Sequence, residues 1–109
     1  MKKIAYIISR DGSGEYIQDS ILKSIADRTH GAHVISLYFI ENGVYFLVKG
    51  SRRAKEIMIA MHEQDVKIFA SKQSIKERKI ENMMLDGIEL ATFDSFYKIT
   101  QEADHIISI

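Results

Sequence analysis

Ser71 stands among cations. Lys72, Lys76, Arg78 and Lys79 follow it, and Glu77 is the acid among them. The segment carries a local excess of about three positive charges, in a chain whose 15 Lys plus Arg balance 15 Asp plus Glu. A nucleophile or a bound anion there would sit in a positive field beside a helix N-terminus. The bland reading of the same residues is a solvated basic helix. As a catalytic serine, Ser71 lacks its context. The run Phe69-Ala70-Ser71-Lys72-Gln73 has no glycine to permit a strained nucleophile elbow, and the sequence supplies no convincing histidine and acid to activate it.

Other chemistry-bearing patterns are weaker. Gly12-x-Gly14 precedes a helical pattern, so backbone amides there could hold an anion. The third glycine of a dinucleotide fingerprint and the Gly-Lys-Ser/Thr of a P-loop are both missing. His30-x-x-His33 straddles Gly31, and no carboxylate lies at metal spacing beside it, so neither a metal nor a cofactor is expected. The chain has no cysteine. That excludes disulfides, thiolate metal sites and a thiol nucleophile. The methionines at 58, 61, 83 and 84 read as core filler or interface rather than a cofactor box.

These residues need a scaffold, and the 109-residue length allows one domain, residues 1–109. Ile4–Ile8 is an unbroken apolar run of strand length, the mark of a parallel strand covered on both faces. Val34–Ile40, Val66–Ala70, Ile88–Leu90 and His105–Ile109 read as further strands. Helical spacing falls over Glu15–Thr29, with Gly31 as a stop signal, and over Arg52–Gln64, with Ser51 as a candidate N-cap. Ser74-Ile75-Lys76-Glu77 has the form of a capping box opening a short helix. Thr92 or Asp94 would cap a last helix ending near Glu102, with Phe96, Tyr97 and Ile99 available to the core. Glu41-Asn42-Gly43 reads as a turn, and Val44–Val48 fits either a strand or a short buried helix. Strand and helix alternate, which calls for a parallel sheet with helices on both faces. Ligands of such sheets bind at the carboxyl ends of the strands. That restricts a site to the loops at 9–14, 41–43, 71–74 and 91–94.

Composition bounds the partners. A formal charge of +0 argues against nucleic acid as the main partner. No apolar run approaches the roughly 20 residues that span a bilayer, and no signal h-region precedes a cleavage site. A cytoplasmic protein without membrane association is the expectation.

Three segments, taken in order, carry a resemblance. They are Tyr38-Phe39-Ile40-Glu41-Asn42-Gly43-Val44-Tyr45, then Val66-Lys67-Ile68-Phe69-Ala70-Ser71 through Arg78-Lys79-Ile80, then Leu85-Asp86-Gly87-Ile88 through Asp104-His105-Ile106-Ile107. Over nearly its whole length the chain resembles the DsrE/DsrF-like family, which includes the sulfur-relay protein TusD. The resemblance implies a three-layer α/β/α fold with a five-stranded parallel sheet, and a short helix rather than a hairpin at Val44–Val48. It implies a homo-oligomer, trimer or hexamer, with Tyr38, Phe39, Tyr45 and Phe46 at its interface, and sulfur-relay proteins as partners. In the family's sulfur carriers the position of Ser71 is a persulfide-bearing cysteine. A hydroxyl cannot carry a persulfide, so a non-catalytic subunit is expected. The glycine that follows the family's arginine is here Lys79. The alternative is an anion- or nucleotide-binding protein whose basic pocket uses Ser71, Lys72 and Arg78, with Asn42, Tyr45 and Gly12 from neighbouring loops.

Overall fold

The computed structural model describes residues 1–11 and 17–109; Gly12, one of the candidate ligand residues, lies outside them. Five strands, β1 (Lys3–Ile8), β2 (His33–Phe39), β3 (Lys67–Ser71), β4 (Glu89–Ala91) and β5 (His105–Ser108), form one parallel sheet in the order β4-β3-β2-β1-β5. Four α-helices connect them: α1 (Ile17–Ala26), α2 (Ala54–Glu63), α3 (Lys72–Glu77) and α4 (Phe93–Glu102).

The order of the strands fixes the layers. From β1 to β4 the chain always steps the same way across the sheet, so right-handed crossovers place α1, α2 and α3 on one face. The return from β4 to β5 crosses to the far edge, and the same handedness places α4 on the other face. Two cores result. The larger joins Tyr6, Ile8, Leu37, Phe39 and Ile68 of the sheet to Leu22, Ile57 and Ile75 of the three helices. The smaller joins Ala5 and Phe69 to Ile99 of α4, with Tyr38 packed against it.

Several local expectations are corrected. The short helix implied at Val44–Val48 is a 3-10 segment that begins earlier, at Glu41–Leu47, and takes in the supposed turn. Gly43 is there because of close approach: a Cβ would lie 2.0 Å from the carbonyl oxygen of Ile8. Helix α1 stops before Gly31. Arg28 turns the chain out with φ 65, and Thr29 N–H reaches back to the Ser24 carbonyl. Ser51 is no N-cap; its hydroxyl donates to the Phe46 carbonyl. Ser74 does not open α3, because Ser71 caps it and Ser74 sits inside the first turn. Thr92 caps α4, and Ser95 completes a reciprocal capping box in place of the usual Glu or Gln. Of the aromatics expected at an interface, Phe39 and Phe46 are core residues and Tyr38 is half-buried. Tyr97, expected inside, faces out.

Candidate functional site

The carboxyl ends of β2 and β3 are tied together by two hydroxyls. Ser71, the last residue of β3, accepts a hydrogen bond from the Ser74 backbone N–H at 3.2 Å and so caps α3. Buried Ser74 in turn accepts the backbone N–H of Glu41 at 2.8 Å. Glu41 opens the 3-10 segment with φ 50, a left-handed conformation that few non-glycine residues adopt. The serine at the end of its strand is therefore a structural acceptor.

Arg78 closes the other end of α3. Its Nε and Nη2 donate to Asn42 Oδ1 at 3.2 and 2.9 Å, and Nη1 donates to the Ser74 carbonyl at 3.1 Å. The guanidinium lies 5.9 Å from the ring centroid of Tyr45, within cation–π range. Asn42, Tyr45 and Arg78 thus meet. Arg78 has no carboxylate partner among the described residues. Lys72 lies elsewhere. With Lys76 it borders a groove of about 380 Å³ whose floor is apolar, formed by Ile75, Met84, Leu85 and Leu90. The five described candidates therefore divide between a hydroxyl relay, an arginine clamp and a separate apolar groove.

An ion pair on a buried carboxylate near the same end was not singled out by sequence reasoning. Asp19 of α1 is 8% exposed and accepts Arg52 Nε at 3.1 and 3.0 Å, with Arg53 Nε at 3.5 Å. Arg52 also donates to the Asp11 carbonyl at 2.8 Å and lies over the Phe46 ring. Asp11, Tyr45, Phe46, Ser51 and Arg52 line a small cavity of about 170 Å³. One signal could have found this cluster. Two adjacent arginines just before a helix oppose its dipole, so an acid elsewhere in the chain should hold them.

Among the described residues no histidine is hydrogen-bonded to Ser71. His33 and His105 begin β2 and β5, at the amino ends of the parallel strands and so away from Ser71, and His30 lies in the loop before β2. His62 lies in the last turn of α2. Among the described residues no cluster of His, Cys, Asp and Glu is placed to hold a metal ion, and no helix is long and apolar enough to cross a membrane.

Comparison with known proteins agrees with this architecture. The ychN protein of E. coli superposes with a TM-score of 0.79 at 20% identity, covering 100% of both chains. MTH1491, a protein of unknown function from Methanobacterium thermoautotrophicum, gives 0.76 at 12% identity, again over 100% of both chains. BT1422 from Bacteroides thetaiotaomicron gives 0.73 at 12% identity, over 99% of this chain and 95% of its own. At these identities the likeness is one of fold. No curated protein matches the sequence. The family model for DsrE/DsrF-like proteins matches residues 2–109, so the chain belongs to the DsrE/DsrF-like family, which is associated with sulfur relay.

Proposed function

We propose that this chain is a non-catalytic, self-associating subunit of a DsrE-like assembly in intracellular sulfur relay. One observation carries the reading: the Ser71 side chain, which the family resemblance matches to the carriers' cysteine, is a hydroxyl engaged in capping α3. An alcohol cannot form a persulfide, and without a base it is a poor nucleophile at neutral pH. The family supplies the association with sulfur relay.

Self-association has its own support. Phe93 and Tyr97 lie one turn apart on α4 and are 84% and 58% exposed. Ile106 and Ile107 of edge strand β5 are also exposed. The neighbouring pair Phe93 and Tyr97 is the kind of grouped apolar surface that marks contact sites.

The test pairs two proteins. Wild type and Ser71→Cys are incubated with a low-molecular-weight persulfide donor and examined by intact mass. Wild type is expected to gain no sulfur, and the cysteine variant to gain one. Sulfur transfer catalysed by wild type alone would overturn the reading. Light scattering on the eluting protein is expected to give a trimer or hexamer; a strict monomer at micromolar concentration would remove the assembly part.

A second reading, ligand binding at the carboxyl ends of the strands, keeps one support. The groove beside Lys72 and Lys76 is large enough for a small amphipathic anion. A ligand of the folded state must raise its melting temperature. A thermal-shift panel of anions and nucleotides decides: a shift abolished by Lys72→Ala supports the groove, and a flat panel rejects it.

A further inference from the structure

At the amino ends of β1, β2 and β3 lies another cavity, about 250 Å³ in volume, on the side of the sheet away from Ser71. Arg28, His30 and His33 line it, with Gln64 and the apolar side chains of Ile25 and Val34. None of its lining residues is an acid. The acid next in sequence, Asp27, is engaged by Thr29, whose backbone N–H and hydroxyl both donate to it.

Two further observations concern the same residues. The Tyr6 hydroxyl and His30 Nε2 are hydrogen-bonded at 2.5 Å, with the rings edge to face. His30 Nδ1 is buried and has no hydrogen-bond partner among the described residues. Whichever nitrogen carries the proton, a buried polar atom is left unpaired, a state that native structures seldom tolerate without a water or ligand. The second concerns Arg28. It holds φ 65 at the end of α1, the position where glycine is ordinarily found. The chain thus keeps a strained backbone at a residue whose side chain lines the cavity, as functional sites often do. Gln64 fixes the geometry by donating from Nε2 to the Ala26 carbonyl at 3.0 Å, joining the ends of α1 and α2.

We propose that this cavity binds a small oxyanion, a carboxylate or phosphate group bearing a short apolar substituent. Arg28 is the main donor, the imidazoles of His30 and His33 are secondary ones, and Ile25 and Val34 receive the apolar part. The guanidinium fork suits both oxyanions. The volume is below the range of about 300–1,000 Å³ typical of drug-sized sites, so the ligand is smaller than a nucleotide. The site is independent of the role proposed for Ser71.

The experiment is an NMR titration of the full-length protein with inorganic phosphate and, separately, with benzoate, at ionic strength held constant with sodium chloride. Saturable shifts are expected at backbone amides from Arg28 to Val34 and in the two imidazoles. The stronger of the two probes identifies the oxyanion. Arg28→Gly is the informative variant, because it removes the cation and relieves the backbone strain together. It is expected to melt higher than wild type and to bind at least tenfold more weakly, and Arg28→Lys to bind with intermediate strength. Shifts that fail to saturate with either probe overturn the proposal. So does saturation that survives Arg28→Gly, or that maps to α3 instead.

Discussion

Gly43 has no room for a methyl group. Its Cβ would fall 2.0 Å from Ile8 O and 2.7 Å from Ile8 C, both backbone atoms of the interior strand β1. Gly43→Ala must therefore push the 3-10 segment off β1, at a cost of about 1–3 kcal/mol or more, read as a lowered urea midpoint. Ser74 offers a subtler case. Its hydroxyl is the acceptor for the Glu41 N–H, so Ser74→Ala leaves a donor unpaired and costs about 1–3 kcal/mol. Ser71→Ala removes only a cap, worth about 1 kcal/mol. Ordering the two by chemical denaturation checks the relay: Ser74 should be the costlier loss. In sequence Ser74 alone looked like a cap, yet Ser71 is the residue that caps α3. Which one caps and which one bridges depends on where β3 ends, a boundary that a run of apolar letters does not mark to the residue. Two tyrosines give a pH signature. Burial raises the pKa of Tyr6 and of Tyr38 above the ordinary 10.0, so the folded state holds these protons more tightly than the unfolded chain does. Their contribution is fully present below pH about 10 and is lost as pH rises through the folded values. Melting temperatures are expected to fall above pH about 10, and phenolate absorbance to appear last for these two rings.

Helices and strands were legible where the apolar pattern was long or unbroken. β1, β2 and β3 are each buried by helices, so their letters run Ile-Ala-Tyr-Ile-Ile, Val-Ile-Ser-Leu-Tyr-Phe and Lys-Ile-Phe-Ala, and the alternation with helices dictated a parallel sheet. The 3-10 segment was hidden because five apolar residues fit either period, and because its first turn recruits Glu41-Asn42-Gly43, letters that read as a loop. The arginine at the end of α1 was hidden for a related reason: glycine signals a left-handed stop, and here Arg28 adopts that conformation instead. Helix α4 shows how much one element can depend on its first turn. It is the helix that covers the second face of the sheet, setting Phe96 edge to face against Tyr38 at 5.4 Å. Its N-terminus is held by the reciprocal Thr92–Ser95 bonds. Thr92→Ala should cost about 1 kcal/mol. Because Tyr38 stacks on Phe69 beneath that helix, fraying of α4 is expected to weaken the near-ultraviolet aromatic dichroism before the far-ultraviolet signal declines.

At the scale of the molecule, the two faces of the sheet are unequally covered, three helices against one. Aromatics next to the end of β2 were expected to meet a partner, yet Phe39 and Phe46 fill the larger core, where three converging helices need bulk. The thinner layer is where aromatic side chains are left out in solvent, at Phe93 and Tyr97. Phe93, Phe96 and Tyr97 fall at i, i+3 and i+4 on one face of α4, a spacing that reads as core-facing, yet the helix is turned so that Phe96 and Ile99 meet the sheet and Phe93 and Tyr97 stay exposed. If the proposed assembly uses this face, a charge there should dissolve it without unfolding the protomer. Phe93→Asp places a carboxylate at a position that is 84% exposed in the single chain, and surface substitutions of this kind change stability by about 0.5 kcal/mol or less. In an interface the same carboxylate is desolvated beside apolar atoms, a loss of several kcal/mol. An aspartate is also tolerated in the first turn of a helix, so α4 itself is not disturbed. The expected result is a light-scattering mass of one 12.5 kDa protomer with an unchanged circular dichroism spectrum, against a multiple of that mass for wild type. An unaltered oligomer carrying Phe93→Asp would place the interface on another face, and the groove bordered by Lys72 and Leu90 would be the next surface to mutate.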